Sequence, residues 1–401
     1  MRVLFADKLP DRARTRLASQ GFEVRSEPKL DGDALRDRIA EFDPEVLVVR
    51  STKVTGAHVE AGKSLALIVR AGAGVNTIDL KTCSARGVFV SNCPGKNAVA
   101  VAELAIGLMV SLDRRIADNV ADLRAGKWAK GEYSKSNGLK GRTLGLIGFG
   151  DIGREVAVRA KAFGMPVVAW SRSLTGEKAA LHGVERLATP EDVARRADVL
   201  SVHLALTPET RGLVGESVLR ELKQGAIFLN TARAEVIDND ALLASIDGKK
   251  LRVGLDVFPS EPSGSEGVFE SPLSQHPAVY GTHHIGASTE EAQEAVAEEM
   301  CRIVETYKRD GRVPNCVNVA MRSPADHLLV VRHLDRVGVL AGVLGVLRES
   351  DVNVEEMENT IFEGGKAAIA RIQVTGKPSD DALARISAQE HILYVNVVPL
   401  F

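Results

Sequence analysis

The chain has 401 residues, with 51 basic and 53 acidic side chains and a formal net charge of -2 at pH 7. This length allows two or three domains that each bury a core of their own. Because the charges nearly cancel, composition excludes a strong general attraction to nucleic acid or to an anionic membrane, and a small soluble ligand is the better expectation.

The cysteines Cys83, Cys93, Cys301 and Cys316 are scattered, without a C-x-x-C pair. This spacing predicts reduced thiols in a cytoplasmic protein, with neither a disulfide framework nor a metal site. The first residues, MRVLFADKLP, lead directly into a strand and lack the apolar core of a signal peptide. The longest apolar run, near Leu104–Val110, is too short to cross a bilayer.

From Val3 to Asn92, short apolar segments alternate with polar segments of helical pattern. This alternation predicts a parallel sheet with helices on both faces, whose ligands bind at the carboxyl ends of the strands. The predicted strands are Val3–Ala6, Val46–Val49, Leu65–Val69 and Val88–Val90, and Asp33–Ala40 is a predicted helix.

Two of these strand ends carry unusual residues. Arg50 and Ser51 follow one strand, and the sequence RAGAGV, residues 70–75, follows another. An arginine beside a serine suits an anion, and a glycine-rich turn offers free amides to a carboxylate. A solvated surface arginine and an ordinary turn are the alternatives.

A long helical pattern runs from Asn97 to about Ala125 and is apolar nearly all round in its first half. It predicts one helix that is buried between domains or in a subunit interface. Lys127, Trp128 and Lys130 follow, and the polar sequence SKSNGLKG after them predicts a linker.

The sequence TLGLIGFGDIGREV contains G-x-G-x-x-G, formed by Gly148, Gly150 and Gly153. A predicted strand precedes it, a helical pattern follows, and a second strand is predicted at Pro166–Trp170. In this setting the glycines allow a tight turn, close approach of a pyrophosphate, and close packing of helix on strand. The amides of Asp151 and Ile152 at the start of the helix then face the phosphates.

The second strand of this unit ends at Ser171 and Arg172. An acidic residue at this point usually holds the ribose 2'-hydroxyl of NAD, whereas an arginine accommodates the 2'-phosphate of NADP. The sequence has no acid there. Arg172 stacked on the adenine of NAD is the alternative, and both cofactors stay open.

Further strands are predicted at Asp198–His203, Ala226–Asn230, LRVGLDVF and Ala278–Gly281. Arg233 follows the second of these, Asp256 and Glu261 follow the third, and His284 follows the fourth. Since parallel strands end at one edge of a sheet, an arginine, a carboxylate and a histidine are expected together there. A structural ion pair and an ordinary loop histidine are the alternatives.

From Met1 to about Val319 the sequence resembles the D-2-hydroxyacid dehydrogenases, through GFGDIG, LTPETRG, NTAR, LDVFPSEP and HHIGAST in the family's order and spacing. Within the family it is most similar to the D-3-phosphoglycerate dehydrogenases, through VRSTKVT, RAGAGVNTID and NAVAVAEL. The resemblance implies an α/β fold of two doubly wound parallel sheets. A Rossmann-type nucleotide domain, residues 98–284, is inserted in a flavodoxin-like substrate domain, residues 1–97 and 285–322.

The resemblance also implies the roles of the site residues. His284 is the acid and base, Glu261 its partner, and Arg233 holds the substrate's carboxylate and reacting oxygen. The residues implied for substrate are Gly74 and Val75 at the carboxylate, Arg50, Ser51 and Asn97 at a distal phosphate, and Lys130 from a second subunit. Those implied for the nicotinamide cofactor, NAD or NADP, are Gly148, Gly150, Asp151, Ile152, Gly153, Ser171, Arg172, His203, Thr207, Thr231, Ala232, Arg233, Asp256, His284, Gly286 and Ala287.

The tail, residues 326–401, predicts strand, helix, two strands, helix and strand, which is the ferredoxin-like βαββαβ plan. Through HLDRVGVLAGVLGVLRESDVNV it resembles an ACT domain, a module that pairs with itself and binds an amino acid. His333, Asp335 and Asn353 are implied for an effector such as L-serine. A purely oligomerising role is the alternative.

Two residues depart from the family pattern: His283 stands in place of a proline, and Ala234 in place of a glycine. Both lie in loops that aim catalytic groups, so they concern the rate more than the reaction class. The resemblance implies a cytoplasmic homodimer or homotetramer that oxidises 3-phospho-D-glycerate to 3-phosphohydroxypyruvate, the first step of serine biosynthesis. The alternatives are a hydroxypyruvate or glyoxylate reductase, another D-2-hydroxyacid dehydrogenase, and a non-catalytic protein that senses NAD(H) and an amino acid.

Overall fold

The computed structural model describes residues 1–262, 267–320 and 322–400. The chain forms two compact units, Met1–Asn318 and Val319–Phe401. The first contains two parallel sheets and the second an antiparallel sheet. No helix among the described residues is long and apolar enough to span a membrane.

A five-stranded parallel sheet begins the first unit, in the order β2-β1-β3-β4-β5. Its strands are β1 (Arg2–Phe5), β2 (Glu23–Ser26), β3 (Val46–Val49), β4 (Leu67–Arg70) and β5 (Phe89–Asn92). The helices between them are α1 (Asp11–Ser19), α2 (Gly32–Phe42), α3 (Gly56–Ala61) and α4 (Leu80–Ala85). Val3 and Phe5 pack in one apolar cluster and Leu4 in a second, because helices cover both faces of the sheet.

The strand β2 is absent from the sequence-based prediction. Its sequence, EVRS, is polar and mostly exposed, since it lies at the edge of the sheet. An edge strand of this kind buries too little to leave a clear hydrophobic pattern.

One helix prediction is wrong. The pattern from Asn97 to Ala125 predicts a single helix, but the chain forms α5 (Ala98–Arg114) and α6 (Ile116–Arg124), followed by α7 (Lys130–Tyr133). Arg115 adopts a left-handed φ of 51°, which a continuous right-handed helix does not accommodate.

A seven-stranded parallel sheet follows, in the order β12-β11-β10-β9-β6-β7-β8. Its strands are β6 (Leu144–Ile147), β7 (Val167–Trp170), β8 (Glu185–Arg186), β9 (Val199–Val202), β10 (Ile227–Asn230), β11 (Arg252–Leu255) and β12 (Val279–Gly281). The helices are α8 (Asp151–Ala162), α9 (Gly176–Leu181), α10 (Pro190–Arg196), α11 (Glu216–Glu221), α12 (Asn239–Lys249) and α13 (Pro272–Gln275). Successive strands are added on one side of β6 up to β8 and on its other side from β9 onward, so the strand order reverses between β6 and β9. A ligand crevice is expected at the carboxyl ends of these two strands.

The last helix of the unit, α14 (Glu290–Asp310), returns to the five-stranded sheet. Its residues Val296 and Met300 share an apolar cluster with Val3 and Phe5 of β1. The first sheet is therefore completed by chain that follows the second sheet.

The second unit has the predicted order of elements. They are β13 (His327–Leu334), α15 (Val339–Glu349), β14 (Asn353–Ile361), β15 (Ala367–Thr375), α16 (Asp380–Ser387) and β16 (Ile392–Pro399). The strands pair antiparallel in the order β14-β15-β13-β16. Both helices contribute buried residues, among them Val343 and Ile386, to one apolar cluster with the sheet.

Candidate active site

Three neighbouring strands of the seven-stranded sheet, β10, β11 and β12, end side by side because they run parallel. Arg233 follows β10, Glu261 follows β11, and His284 follows β12. The sheet thus places a cation, a carboxylate and an imidazole at one edge, which we call the catalytic edge.

His284 and Glu261 are hydrogen-bonded at the catalytic edge. Nδ1 of His284 lies 2.7 Å from Oε2 of Glu261, and Oε1 of Glu261 accepts the backbone N–H of Phe258 at 2.8 Å. Burial alone would raise the pKa of Glu261, but hydrogen bonds from His284 and Phe258 and the charge of Arg233 hold it below its ordinary value. An ionised Glu261 fixes the proton of His284 on Nδ1, which leaves Nε2 able to accept another.

The loop that carries His284 is fixed by Asp256. His284 has a left-handed φ of 52°, a conformation that histidine tolerates better than most residues. Asp256 is buried; its Oδ1 accepts the hydroxyl of Thr282 at 2.6 Å and the amide of Ile285 at 2.8 Å, and its Oδ2 accepts the amide of Gly286 at 2.8 Å. The carboxylate predicted to contact the cofactor therefore binds both sides of the His284 turn.

Arg233 lies against the glycine-rich turn of the other sheet. A Cβ atom on Gly74 would overlap Nη2 of Arg233, so the glycine makes room for the guanidinium. Arg233 donates from Nη1 to the carbonyl of Ala232 at 2.6 Å. Burial lowers its pKa, and the carboxylates Glu235 and Glu261 offset part of that effect. Two residues predicted for the substrate carboxylate, Gly74 and Arg233, are thus in contact.

Arg70, at the end of β4, joins this group, although it was not among the predicted site residues. A Cβ atom on Gly72 would overlap its Nη1, and its Nε is buried without a hydrogen-bond partner among the described residues. Burial and the nearby charges of Arg233 and Arg50 lower the pKa of Arg70 to about 10, so it stays cationic at neutral pH. The feature of the sequence that could have identified Arg70 as a site residue is its position directly before the glycine-rich turn.

Arg50 and Ser51 follow β3, beside Arg70 at the carboxyl edge of the five-stranded sheet. Nη1 of Arg50 lies 3.4 Å from Oε1 of Gln293 in α14. The amides of both residues and the hydroxyl of Ser51 bind Asp7. We call this region, with Arg50, Arg70 and the glycine-rich turn, the substrate edge.

For the other residues predicted to bind substrate, the structure gives the position in the fold and the burial. Val75 is half-buried in the glycine-rich turn, and Asn97 precedes the first turn of α5. Lys130 is exposed at the start of α7.

The glycine turn after β6 leaves no room for a side chain at two of its three glycines. Gly148 has a φ of 100°, and a Cβ atom on it would overlap the carbonyl oxygen of His203. A Cβ atom on Gly153 would overlap the carbonyl oxygen of Gly148, whereas Gly150 faces open space. Asp151 starts α8, and its carboxylate pairs with Arg154.

Two buried polar atoms beside this turn have no hydrogen-bond partner among the described residues, Nδ1 of His203 and Oγ1 of Thr231. Nε2 of His203 lies 2.8 Å from the hydroxyl of Ser201, and burial lowers the pKa of His203 to about 4, so it is neutral. Unpartnered polar atoms at the ends of β9 and β10 fit a polar ligand in the crevice. Ala232, Gly286 and Ala287 lie on the neighbouring strand ends.

Ser171 and Arg172 follow β7 and are partly to fully exposed. A carboxylate does reach this neighbourhood, from a loop that the sequence did not connect with it. A hydrogen bond from Thr207 and the charge of Arg172 lower the pKa of Glu209. The end of β7, where the sequence predicts the adenosine ribose, therefore has both a cation and an acid nearby.

In the second unit, His333 is buried, with Nδ1 2.8 Å from the carbonyl of Leu334 and Nε2 3.2 Å from Oδ1 of Asn359. Asp335 is exposed, and Asn353 is exposed and donates to Glu355 at 2.7 Å. Both ring nitrogens of His333 thus have partners within the unit.

Comparison with known proteins shows which family the chain resembles. Residues 106–286 match the family described as D-isomer specific 2-hydroxyacid dehydrogenase, NAD binding domain. The chain is 43% identical over 280 residues to a hydroxypyruvate reductase of Thermotoga maritima, a match that covers 69% of this chain and 88% of that one.

A D-3-phosphoglycerate dehydrogenase of Methanocaldococcus jannaschii is 37% identical over 321 residues, or 80% of this chain, but the match spans only 60% of that relative's length. Among solved structures, an NAD+-bound 3-phosphoglycerate dehydrogenase of Entamoeba histolytica is similar with a TM-score of 0.67 at 28% identity, over 80% of this chain and 99% of that one.

Proposed function

Because the chain belongs to the NAD-dependent D-2-hydroxyacid dehydrogenase family, we propose that it oxidises 3-phospho-D-glycerate to 3-phosphohydroxypyruvate, the first step of serine biosynthesis. The observation that carries this choice is the convergence of Arg233, Arg70 and Arg50. Burial and the nearby charges of Arg233 and Arg50 together lower the pKa of Arg70. A plain 2-hydroxy acid brings a single carboxylate to these cations. A phosphorylated acid adds a second anionic group, which balances them better.

In the proposed reaction Nε2 of His284 takes the hydroxyl proton of the substrate, while Glu261 stabilises the imidazolium that results. In the reverse direction the same nitrogen returns the proton. The carboxylate of Glu261 is held by Phe258 as well as by His284, so the imidazole keeps one orientation through both directions.

Arg233 and the amide of Gly74 hold the substrate's carboxylate in this proposal. The planar guanidinium matches a carboxylate, and its position against Gly74 brings both donors to one place. Arg70 and Arg50 then face the distal phosphate, together with Asn97 and, from a second copy of the chain, Lys130. Ser51, which the sequence also predicts for the phosphate, donates both its amide and its hydroxyl to Asp7 instead.

NAD fits the crevice at the ends of β6 and β9. Gly148, Gly150 and Gly153 allow a pyrophosphate against bare backbone, and His203 and Thr231 offer buried polar atoms. The bound nicotinamide supplies the hydride acceptor. The carboxylate of Glu209, near Arg172, can accept the ribose 2'-hydroxyl of NAD. Arg172 itself can bind the 2'-phosphate of NADP, so NADP is kept as a second cofactor.

A self-association role is proposed for α6 and the segment after it. Ile116, Val120 and Leu123 are 44%, 39% and 56% exposed at helical spacing, and Trp128 is 82% exposed. α6 has no buried residue. An apolar stripe of this kind fits a second copy of the chain, which would also bring Lys130 to a site.

For the second unit we propose an ACT-type role in binding an amino acid such as L-serine. Asp335 and Asn353 are exposed, whereas His333 would have to give up Asn359 to reach a ligand. Calorimetric titration with L-serine tests this role. If no heat is measured at millimolar serine, the role left for the second unit is oligomerisation.

The second candidate is a hydroxypyruvate reductase. It is favoured by the identity of 43% to the relative of that name, over 88% of that relative's length. In this candidate Arg50 and Arg70 do not contact a phosphate.

The test is the loss of nicotinamide absorbance with 3-phosphohydroxypyruvate and with hydroxypyruvate, each with NADH and with NADPH. We expect kcat/KM to be at least tenfold higher for the phosphorylated acid. Equal or better rates with hydroxypyruvate would establish the second candidate, and no turnover of either would favour a binding protein.

A further inference from the structure

Asp7 is a charged side chain that the mechanism above does not use. It follows β1, and β1 lies next to β3, whose end carries Arg50. The side chain is therefore at the substrate edge although it is 43 positions from Arg50 in the sequence.

One carboxylate oxygen of Asp7 receives three successive amides. Oδ2 accepts the backbone N–H groups of Arg50 at 2.6 Å, Ser51 at 3.1 Å and Thr52 at 3.1 Å. Oδ1 accepts the hydroxyl of Ser51 at 3.1 Å. Consecutive amides that converge in this way form a concave anion site. The chain fills that site with its own carboxylate.

The occupied amides change what the loop can offer a substrate. A phosphate cannot bind them while Asp7 does, so the guanidinium of Arg50 is the group of this loop that remains for an anion. The direction of Arg50 follows from its backbone, which Asp7 fixes, and from Gln293, whose Oε1 lies 3.4 Å from Nη1.

The Asp7 carboxylate is ionised at neutral pH. Burial would raise its pKa, but the amides of Arg50 and Thr52 and the hydroxyls of Thr52 and Ser51 more than offset that effect and lower it. The Asp7 carboxylate is therefore charged, and hydrogen bonds to a charged acceptor are stronger than those between neutral groups.

The geometry points to Asp7 as a positioning residue that sets the specificity of the enzyme for a phosphorylated substrate by aiming Arg50. This inference rests on the proposed function. Positioning by Asp7 can be told apart from a direct effect of its charge on the substrate. A negative charge beside the phosphate would by itself weaken phosphate binding, whereas a correctly oriented Arg50 strengthens it.

Asp7→Ala tests the inference, with the ratio of kcat/KM for 3-phosphohydroxypyruvate to kcat/KM for hydroxypyruvate as the readout. We expect the ratio to fall about tenfold or more, mainly through KM for the phosphorylated acid, since lost support of a binding group costs about 10- to 100-fold. Asp7→Asn is the conservative variant. Its amide oxygen can accept the three backbone groups and its NH2 can donate to Ser51, so the ratio should stay within about threefold of wild type.

Asp43→Ala is the matched control. Asp43 anchors a loop of the same sheet in a similar way, accepting the amide of Ser64 at 2.9 Å, its hydroxyl at 2.7 Å and Arg2 at 3.0 Å. It lies near the amino ends of the strands, away from the substrate edge. Its loss should lower Tm and leave the ratio unchanged.

Several outcomes overturn the inference: an unchanged ratio in Asp7→Ala, an equal fall in activity toward both substrates, or a rise in the ratio in both Asp7 variants. If Asp7→Ala does not fold, Asp7→Glu replaces it. That variant keeps the charge but moves the carboxylate by one methylene, so the ratio should still fall, and an unchanged ratio contradicts positioning. A wild type without preference for the phosphorylated acid refutes the proposed function itself, whereas a preference that survives in Asp7→Ala refutes only the role of Asp7.

Discussion

The catalytic edge and the substrate edge meet where Arg233 lies against Gly74, yet they are built differently. At the catalytic edge the charged groups have partners within the chain, since Glu261 binds His284 and Asp256 binds the His284 turn. At the substrate edge Arg70 lies beside two other cations, and its Nε has no partner among the described residues.

The difference indicates a division of labour. In the proposed function, the preassembled acid and base serves the reaction common to 2-hydroxy acids, and it needs no ligand to hold its geometry. An excess of positive charge costs stability until an anion arrives, which fits the role in substrate choice that we propose for this edge. Variants at the first edge should therefore affect all substrates, and variants of Arg50 and Arg70 at the second should affect the phosphorylated one.

The largest effect is expected from His284→Asn. Asparagine tolerates the left-handed backbone at this position but cannot act as the base, so kcat should fall about 10³-fold for both substrates. The neighbouring exposed histidine provides the control, since His283→Ala should stay within about threefold of wild type. Substantial turnover by His284→Asn would remove the histidine from the reaction.

Gly74→Ala tests the contact between the two edges. The backbone of Gly74 is accessible to alanine, so the new methyl group should displace the guanidinium of Arg233 and leave the fold intact. We expect kcat/KM to fall about 100-fold for both acids, because a binding group is moved by about an ångström. Gly248→Ala in α12 is the control, since open space surrounds that glycine, and its activity should match wild type. Equal activities in the two variants would contradict the contact.

Glu261→Gln removes the charge behind His284 and keeps the shape of the side chain. A fall in kcat of about 10- to 100-fold is expected for both substrates, because the imidazolium loses its partner. Steady-state kinetics at saturating cofactor measure it. A loss restricted to the phosphorylated acid would be inconsistent with a role at the catalytic edge.

The smallest effect is on stability. The pKa of Glu261 is lower in the folded chain than its ordinary value, so its contribution is complete above the unfolded pKa and is lost as pH falls through the folded one. The Tm of wild type should exceed that of Glu261→Gln by a constant amount from pH 6 to 8, and the gap should narrow below about pH 4. A gap that widens on acidification would contradict the sign of the shift.

Much of the catalytic edge could be predicted from the sequence because parallel strands end at one side of a sheet. That rule places Arg233, Glu261 and His284 together from motif positions alone. It does not say which atoms pair, and Asp256 is bound to the His284 turn by contacts about thirty positions apart.

The substrate edge was harder to predict. The contact of Asp7 with Arg50 depends on β1 lying next to β3, and the local sequence of neither strand shows this order. The sequence does not predict the end of α5 for a similar reason, since the apolar pattern continues through Arg115 while the backbone turns left-handed. Hydrophobic periodicity reports which face is buried and not where a helix bends.

The most direct test is the variant Arg70→Met. Two quantities are measured on it: Tm, and the ratio of kcat/KM for 3-phosphohydroxypyruvate to kcat/KM for hydroxypyruvate. Methionine fills the volume without the charge, so we expect Tm to rise as the buried cation and its repulsion from Arg50 and Arg233 disappear, while the ratio falls at least tenfold. A lower Tm with an unchanged ratio would show that Arg70 is structural, and it would contradict the assignment of substrate choice to this edge.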